Sequence, residues 1–410
     1  MGISLGLVGL GSFGSVFARL FKSHPLVDRI ALCDAEVEKV RKFADLPEFQ
    51  DKLNQKDVFF SLDDICQTDL DAIVIITQPW LHAPQCIQAM ESGKHVYSAV
   101  PVITLPDFSE VLDWCGRVID CVQRTGKQYM LGETTYYRPQ TQFCRRQAAA
   151  GAFGDFVYAE GEYAHDVDSN CSLRQVNQMR QTGKIGEQYA ALVEPYRRRG
   201  CKTSPMSYPT HSVSGPLSVM GAKPLRVSAG GYRNRNQDPF FRHYEFSNLV
   251  ANYYLDNGAV LRIAEMREIS DNIGLKDEDF RIFGTRGSYS CGNWCENGRL
   301  VPDGAKHPNT CRAVTNAEMY EPLPKEVASA FKYALNPAAK PEDDFQPSGH
   351  GGSHPYLVHE FCCAVAEQRM PAINAWDAAC YMAMGAAAHE SALRDGELLP
   401  VQDFGDAPSA

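Results

Sequence analysis

The stretch that most restricts the fold is the first 35 residues. Ile3-Ser4-Leu5-Gly6-Leu7-Val8 is an apolar run of strand type, and Gly9-Leu10-Gly11-Ser12-Phe13-Gly14 follows at once. Phe13, Val16, Phe17, Leu20 and Phe21 then recur three and four apart, the spacing of one buried helical face. Arg29–Cys33 reads as a second strand and ends in Asp34, twenty residues past Gly14. Strand, Gly-x-Gly-x-x-Gly turn, helix, strand and acid, in that order, predict a dinucleotide site on a parallel sheet. Gly9 allows the tight turn, Gly11 lets the pyrophosphate approach, and Gly14 seats the helix against the strand. The free amides around Ser12 and Phe13 would face the phosphates. Asp34 can accept from both ribose hydroxyls and would repel a 2'-phosphate, so NAD is expected over NADP.

At 410 residues the chain exceeds what one core usually serves. The expected fold class is α/β: a Rossmann domain over residues 1–132, then an α+β domain over 133–410 built on a mainly antiparallel sheet. That second domain would serve substrate binding and oligomerisation, as a homodimer or homotetramer, with its C-terminal helices packing back on the first. A net charge of −10 argues against a broad nucleic-acid or anionic-membrane surface. No eighteen-residue apolar span occurs and the N-terminus enters a strand without a signal peptide, so a cytoplasmic enzyme is expected. The fourteen cysteines form no disulfide framework by pattern, since Cys33, Cys66, Cys86, Cys115, Cys121 and Cys144 sit in apolar strand or helix runs. Cys291 and Cys295 most resemble a metal half-site, but no matching His or Cys pair follows, and no metal is expected.

Asp71–Ile76 is the most apolar strand and runs into Thr77-Gln78-Pro79-Trp80-Leu81-His82. Thr77, Gln78 and His82 are therefore expected near the cofactor, as are Val100 and Pro101 after the strand His95–Ser98. A long amphipathic helix over 105–122 and a strand at Gln128–Leu131 close the first domain. Residues 170–210, rich in Gln, Arg, Tyr and Pro, read as a long loop with short helices around a substrate. Strands are expected at 156–163, 225–228, 246–254, 259–266 and 279–283, with Asn257-Gly258 as a hairpin turn. Residues 349–354 read as a flexible loop before helices at 355–368 and 375–394.

Candidate chemistry sits in two couples. Tyr163 and His165 are two apart at a strand end, and Tyr208 and His211 are three apart before a helix, so each couple can share a face. A histidine near its ordinary pKa suits removal of a hydroxyl proton, and a tyrosinate can take a proton beside a ketone if cationic neighbours favour it. Arg197-Arg198-Arg199 with Lys202 is the densest positive run in an acidic chain, and one of these could hold an anionic group on a sugar.

The nucleotide domain, Gly93-Lys94-His95-Val96 and the β-rich second domain resemble the Gfo/Idh/MocA family of sugar-related oxidoreductases. That family typically has Glu-Lys-Pro after its fifth strand, where this chain has Ala99-Val100-Pro101, and Asp residues flanking His211, where this chain has Ser207 and Ser214. These departures, with Glu133-Thr134-Thr135-Tyr136-Tyr137, the segment Glu160–Asp166, Tyr208–His211 and Gly349-His350-Gly351-Gly352, resemble the NAD-dependent glycosidase branch. The resemblance implies retained NAD, with oxidation at C3, deprotonation at C2, elimination of the aglycone, water addition and re-reduction. It implies catalytic roles for Tyr163, His165, Tyr208 and His211, and sugar contacts from Glu133, Tyr136 and His350. The expected substrate class includes anionic glycosides such as sulfoquinovosides. The alternatives are a net NAD-dependent sugar or polyol dehydrogenase and a non-catalytic sugar-binding protein.

Overall fold

The computed structural model describes residues 2–168, 172–270, 278–298 and 307–408. Six strands, β1 (Ile3–Val8), β2 (Val27–Cys33), β3 (Leu53–Phe59), β4 (Ala72–Ile75), β5 (His95–Ser98) and β6 (Tyr129–Leu131), form an all-parallel sheet in the order β3-β2-β1-β4-β5-β6. Every residue of β4 is buried, because helices cover both faces of the sheet. The helix Ser12–Ser23 places Phe17, Leu20 and Phe21 against it with no residual exposure. Each such side chain contributes about 1.5–3 kcal/mol by leaving water. The helix Phe108–Thr125 starts at Asp107, whose carboxylate accepts from the Ser109 amide, and stops at Gly126, φ 68°. Strand order reverses between β1 and β4, so a crevice opens at their carboxyl ends.

The second sheet has nine strands: β7 (Phe156–Ala164), β8 (Pro224–Tyr232), β9 (Asn248–Leu255), β10 (Val260–Met266), β11 (Asp279–Gly284), β12 (Gly287–Ser290), β13 (Asn293–Glu296), β14 (Thr310–Ala313) and β15 (Leu399–Pro400). Their order is β14-β13-β12-β11-β7-β10-β9-β8-β15, and among these described strands β7–β10 is the one parallel pairing. The β9–β10 hairpin turns at Asn257-Gly258, with Gly258 at φ 84°.

One glycine decides how the active-site helix meets this sheet. A Cβ on Gly161 of β7 would lie 2.0 Å from the Ser212 carbonyl oxygen, so only glycine lets the helix Thr210–Met220 lie this close to the strand. That approach brings His211 to Tyr163. Gly161→Ala is expected to cost on the order of 1–3 kcal/mol in urea unfolding and to displace His211; an unchanged midpoint would contradict the packing described.

The last two helices join the domains. His354–Glu367 packs on the Ser12–Ser23 helix, and Ala375–Leu393 packs on both Phe108–Thr125 and β8. The Leu131 amide donates to the Ile373 carbonyl at 2.9 Å.

Three expectations change. Within 170–210 stand the helix Leu173–Arg180 and a sixteen-residue helix, Gly183–Arg198. The longer one buries only Gly186, Val193 and Tyr196, too few positions to print a helical period on the sequence. Residues 349–354, expected as a flexible loop, form a tight, closely packed turn, since a Cβ on Gly349 or Gly352 would strike His354 or Tyr320. The cysteine pattern predicts no disulfide framework, yet Cys295 is not a free thiol. It forms a disulfide with Cys311 across the β13–β14 pair, a cross-link uncommon in reducing compartments, while Cys291 is exposed and free. No helix among the described residues is long and apolar enough to cross a membrane.

Candidate active site

The crevice end of the first sheet is shaped for a dinucleotide. Gly9 has φ 94°, and a Cβ there would meet the Ile76 carbonyl at 2.1 Å; one on Gly14 would meet the Gly9 carbonyl at 1.9 Å. Nothing lies within 4 Å of a Cβ built on Gly11, which leaves room for the pyrophosphate. Ser12 and Phe13 start a helix that has no side-chain cap and no acid in its first turn. Its amides are free to meet an anion.

Asp34 accepts from the Leu10 amide at 2.7 Å through one oxygen and from the Glu36 amide at 2.9 Å through the other. It therefore braces the glycine-rich turn, in addition to the ribose contact expected of it. Asp34→Ala is expected to weaken NAD binding at least tenfold, on the order of one charge-assisted hydrogen bond, and to narrow any preference over NADP. Tight binding with an unchanged NAD/NADP ratio in titration calorimetry would remove the ribose contact.

The other predicted cofactor residues divide. Gln78 Oε1 is buried without a hydrogen-bond partner among the described residues, as expected of a group that awaits a ligand. The Thr77 hydroxyl donates to Gln85 Oε1. His82 is withdrawn behind the loops, with Nδ1 2.8 Å from the Pro101 carbonyl and Nε2 3.4 Å from that of Thr77. Burial lowers it to about 4, so it is a neutral strut between the two loops expected beside the cofactor. The Val100–Pro101 peptide is cis, and the Val100 carbonyl accepts from the Tyr208 hydroxyl at 3.0 Å.

That hydrogen bond ties the cofactor loop to a cluster of aromatic rings. Tyr208 and His211 centroids lie 5.2 Å apart, His211 and Tyr163 5.0 Å, and Tyr163 and His165 5.7 Å. All four residues of the two couples are thus brought together. Beneath them is a charged floor. His211 Nδ1 donates to Glu133 Oε1 at 2.9 Å and lies 3.9 Å from Glu278 Oε2. Glu278 also pairs with Arg138 at 2.9 Å and accepts from the Thr135 hydroxyl at 2.9 Å. Both carboxylates are buried, and Glu133 Oε2 has no hydrogen-bond partner among the described residues.

Burial works against a charged imidazole, but Glu133 and Glu278 outweigh it and raise His211 to about 9. His211 is therefore an imidazolium at neutral pH and not a histidine near its ordinary value. Burial pushes Glu278 up, yet His211 and Arg138 pull harder and hold it below the usual range. Tyr208 moves well upward, through burial and then its Tyr163 and Glu133 neighbours, so it is held as a neutral hydroxyl that donates. Tyr163 is the better placed of the two, with the Arg267 guanidinium 4.3 Å over its ring. Although no metal was expected, Glu133, His211 and Glu278 each present a ligand atom within 4.8 Å of the others.

His350 Nδ1 lies 3.1 Å from His354 Nε2, and Phe13 meets both rings edge-on, so the His350 turn contacts the nucleotide loop. Tyr136 stands apart from the cluster, with the Arg145 guanidinium 4.0 Å over its ring. The basic run is also apart. Arg198 pairs with Glu194, Arg199 with Asp107 and Glu110, and Lys202 with Glu245. Among the described residues Arg197 has no ion-pair partner, and its charge acts on Tyr189 and His243. Sequence reasoning missed Glu278, Arg138, His354 and Arg267. Arg138 directly follows Tyr136-Tyr137 and could have been noticed; nothing in the sequence marks Glu278.

The profile of the oxidoreductase family with NAD-binding Rossmann fold (Gfo/Idh/MocA) matches residues 3–133. A glycosyl hydrolase family 109 protein of Porphyromonas gingivalis is 30% identical over 173 residues, 40% of this chain and 35% of that protein. An alpha-N-acetylgalactosaminidase of Shewanella oneidensis is 26% identical over 223 residues, 53% of this chain and 43% of that protein. The chain thus spans less than half the length of these curated relatives. Solved structures share the whole fold, and two of them serve as examples. They are a levoglucosan dehydrogenase in complex with NADH and L-sorbose (TM-score 0.71, 17% identity, 98% and 100% of the two chains) and an aldose-aldose oxidoreductase of Caulobacter crescentus (0.66, 17%, 98% and 100%).

Proposed function

We propose that this chain, whose first domain belongs to the Gfo/Idh/MocA family of NAD-binding oxidoreductases, oxidises a secondary carbinol of a sugar at the His211 cluster. One observation carries the reading. His211 sits on Glu133 between two tyrosines, and one of these is hydrogen-bonded to the loop that follows β5. When bound, NAD+ supplies the hydride acceptor.

The chain's own groups handle the proton. With Nδ1 committed to Glu133, Nε2 is the ring nitrogen left for the sugar hydroxyl. In oxidation, neutral His211 takes the hydroxyl proton as the carbinol hydride leaves, and the resulting imidazolium is held by Glu133 and Glu278. In reduction the same imidazolium returns the proton to the ketone. Tyr208 donates a hydrogen bond, and Tyr163, with Arg267 over its face, is the second proton-transfer group. A net sugar dehydrogenase needs no more than this, and the dehydrogenases of the same fold are consistent with it.

A retained-cofactor glycosidase is the second reading, favoured by the family 109 relatives and by Val100 where the family's lysine would stand. In it, oxidation at C3 acidifies C2, Tyr163 removes that proton, the aglycone leaves, water adds and the ketone is reduced again. Assay of aryl glycosides and free sugars decides between them. A dehydrogenase accumulates NADH; a glycosidase releases aglycone without it and, in D2O, places deuterium at C2. Neither result with any sugar would remove the proposal.

Val157, Leu225, Tyr232 and Tyr254 are exposed on strands of the second sheet, which supports a subunit interface there. Light scattering is expected to give a dimer or tetramer, and a monomer at micromolar concentration would contradict this.

A further inference from the structure

We propose that Glu133, His211 and Glu278 form a zinc site, and that an ion held there keeps the enzyme inactive. Ion binding stands by itself; the loss of activity rests on the reading of His211 as the proton acceptor. The three ligands come from three elements. Glu133 follows β6, His211 opens the helix Thr210–Met220, and Glu278 precedes β11. Each is at most 6% exposed, and their ligand atoms all lie within 4.8 Å of one another. Among the described residues no other three His, Cys, Asp or Glu side chains meet in this way.

The separations suit a small divalent ion. His211 Nδ1 is 2.9 Å from Glu133 Oε1 and 3.9 Å from Glu278 Oε2. Zinc bonds of about 2.0–2.1 Å to nitrogen and oxygen set tetrahedral neighbours about 3.4 Å apart, midway between those two values. The carboxylates are positioned before any ion arrives. The Thr135 amide donates to Glu133 Oε1 at 2.8 Å, and the Thr135 hydroxyl donates to Glu278 Oε2 at 2.9 Å. Glu133 Oε2 has no hydrogen-bond partner among the described residues, although Glu133 is fully buried. An idle carboxylate oxygen in such a place is costly, and a bound cation would relieve that cost. One imidazole and two carboxylates favour zinc over magnesium or calcium, which seek about six or more oxygens.

Arg138 opposes the ion. Its guanidinium lies 2.9 Å from Glu278 Oε2 and repels a second cation, but two carboxylates face this one positive charge. It therefore limits affinity without closing the site. Coordination has a definite chemical consequence. As the nitrogen–zinc bond forms, the Nδ1 proton passes to solvent and the ring's remaining proton stays on Nε2. Nε2 is the atom that must be unprotonated to receive the sugar hydroxyl proton. Zinc is expected to inhibit, not to assist.

The test is calorimetric titration of zinc chloride into the untagged, full-length, NAD-loaded protein, with magnesium chloride as control. One zinc per chain should bind with a Kd of about 10 μM or tighter, and magnesium should not bind at the same concentrations. Glu133→Gln and His211→Gln should each weaken zinc at least about tenfold. Arg138→Met should tighten it about three- to tenfold, because the repelling charge is gone. His359 lies 3.6 Å from the free thiol of Cys363, a second place where zinc could settle, so His359→Asn should change nothing. Where turnover is measured, zinc should inhibit at the concentration at which it binds, and EDTA should restore the rate. Absence of zinc binding, binding that survives both Glu133→Gln and His211→Gln, or binding lost in His359→Asn overturns the site. Zinc that binds the cluster without slowing the reaction overturns the inhibitory role. If Glu133→Gln does not fold, His211→Gln and Arg138→Met still decide: unchanged zinc affinity in both rejects the cluster. Because binding is read without turnover, a protein that oxidises no sugar would lose the proposed activity and keep the zinc site. An active enzyme that binds no zinc would do the reverse.

Discussion

Replacing His211 with glutamine is expected to slow sugar oxidation by about a hundred- to ten-thousand-fold while NAD still binds. The size follows from position. His211 is the titratable ring that contacts both tyrosines, and its Nδ1 is fixed by a buried carboxylate, so no neighbour can take over Nε2. Glutamine preserves a donor toward Glu133 but offers no base. Rapid-mixing measurement of NADH formation separates this effect from product release. Retention of more than a tenth of the wild-type rate would show that the proton goes elsewhere, with Tyr163 and Glu133 as the remaining groups at hand.

Glu278→Gln is expected to move the pH dependence of oxidation, because it removes one of the two charges that raise His211 to about 9. Oxidation needs neutral His211, so kcat/KM should rise with pH and level off near 9 in the wild type. Losing Glu278 should bring that inflection toward 6.5, the ordinary histidine value. The stability sign is opposite. A folded pKa above the unfolded one stabilises fully below pH 6.5, and that contribution is lost as pH rises through 9. Wild-type unfolding free energy should therefore fall over this window, by on the order of a few kcal/mol, and His211→Gln should flatten the fall. Glu278→Gln also strands Arg138, so its folded population should be checked first by melting. An inflection that stays in place in folded Glu278→Gln protein would mean that Glu133 alone sets the His211 charge.

The parts of this fold legible in the sequence are those that rest on local periodicity. β1, its glycine turn, the first helix and Asp34 were readable because each residue's role is decided within one βαβ unit. The two Tyr/His couples were readable too, since strand and helix spacing placed each on one face. Their meeting was not, for it depends on Gly161 admitting a helix from fifty residues away. Glu278 was invisible for the same reason. It reaches His211 only because β11 lies beside β7, a pairing between segments 120 residues apart. The histidine's charge was misjudged with it, since neither of its two carboxylate neighbours, Glu133 and Glu278, was paired with it from the sequence. The long helix at Gly183–Arg198 shows the converse limit, where a mostly exposed helix carries too little apolar pattern to be seen.

The central claim is that a hydride leaves a sugar carbon for the cofactor at this cluster, whichever net reaction follows. It is tested most directly with sugars or glycosides deuterated at each secondary carbinol in turn. These are mixed with NAD-loaded enzyme in a single turnover, and the quenched nicotinamide is examined by mass spectrometry. Deuterium should appear in the cofactor from one carbinol position, persisting in a dehydrogenase and passing back to the sugar in a glycosidase. Product formed in the same quenched samples with no deuterium in the cofactor at any time, from any position, would contradict the account.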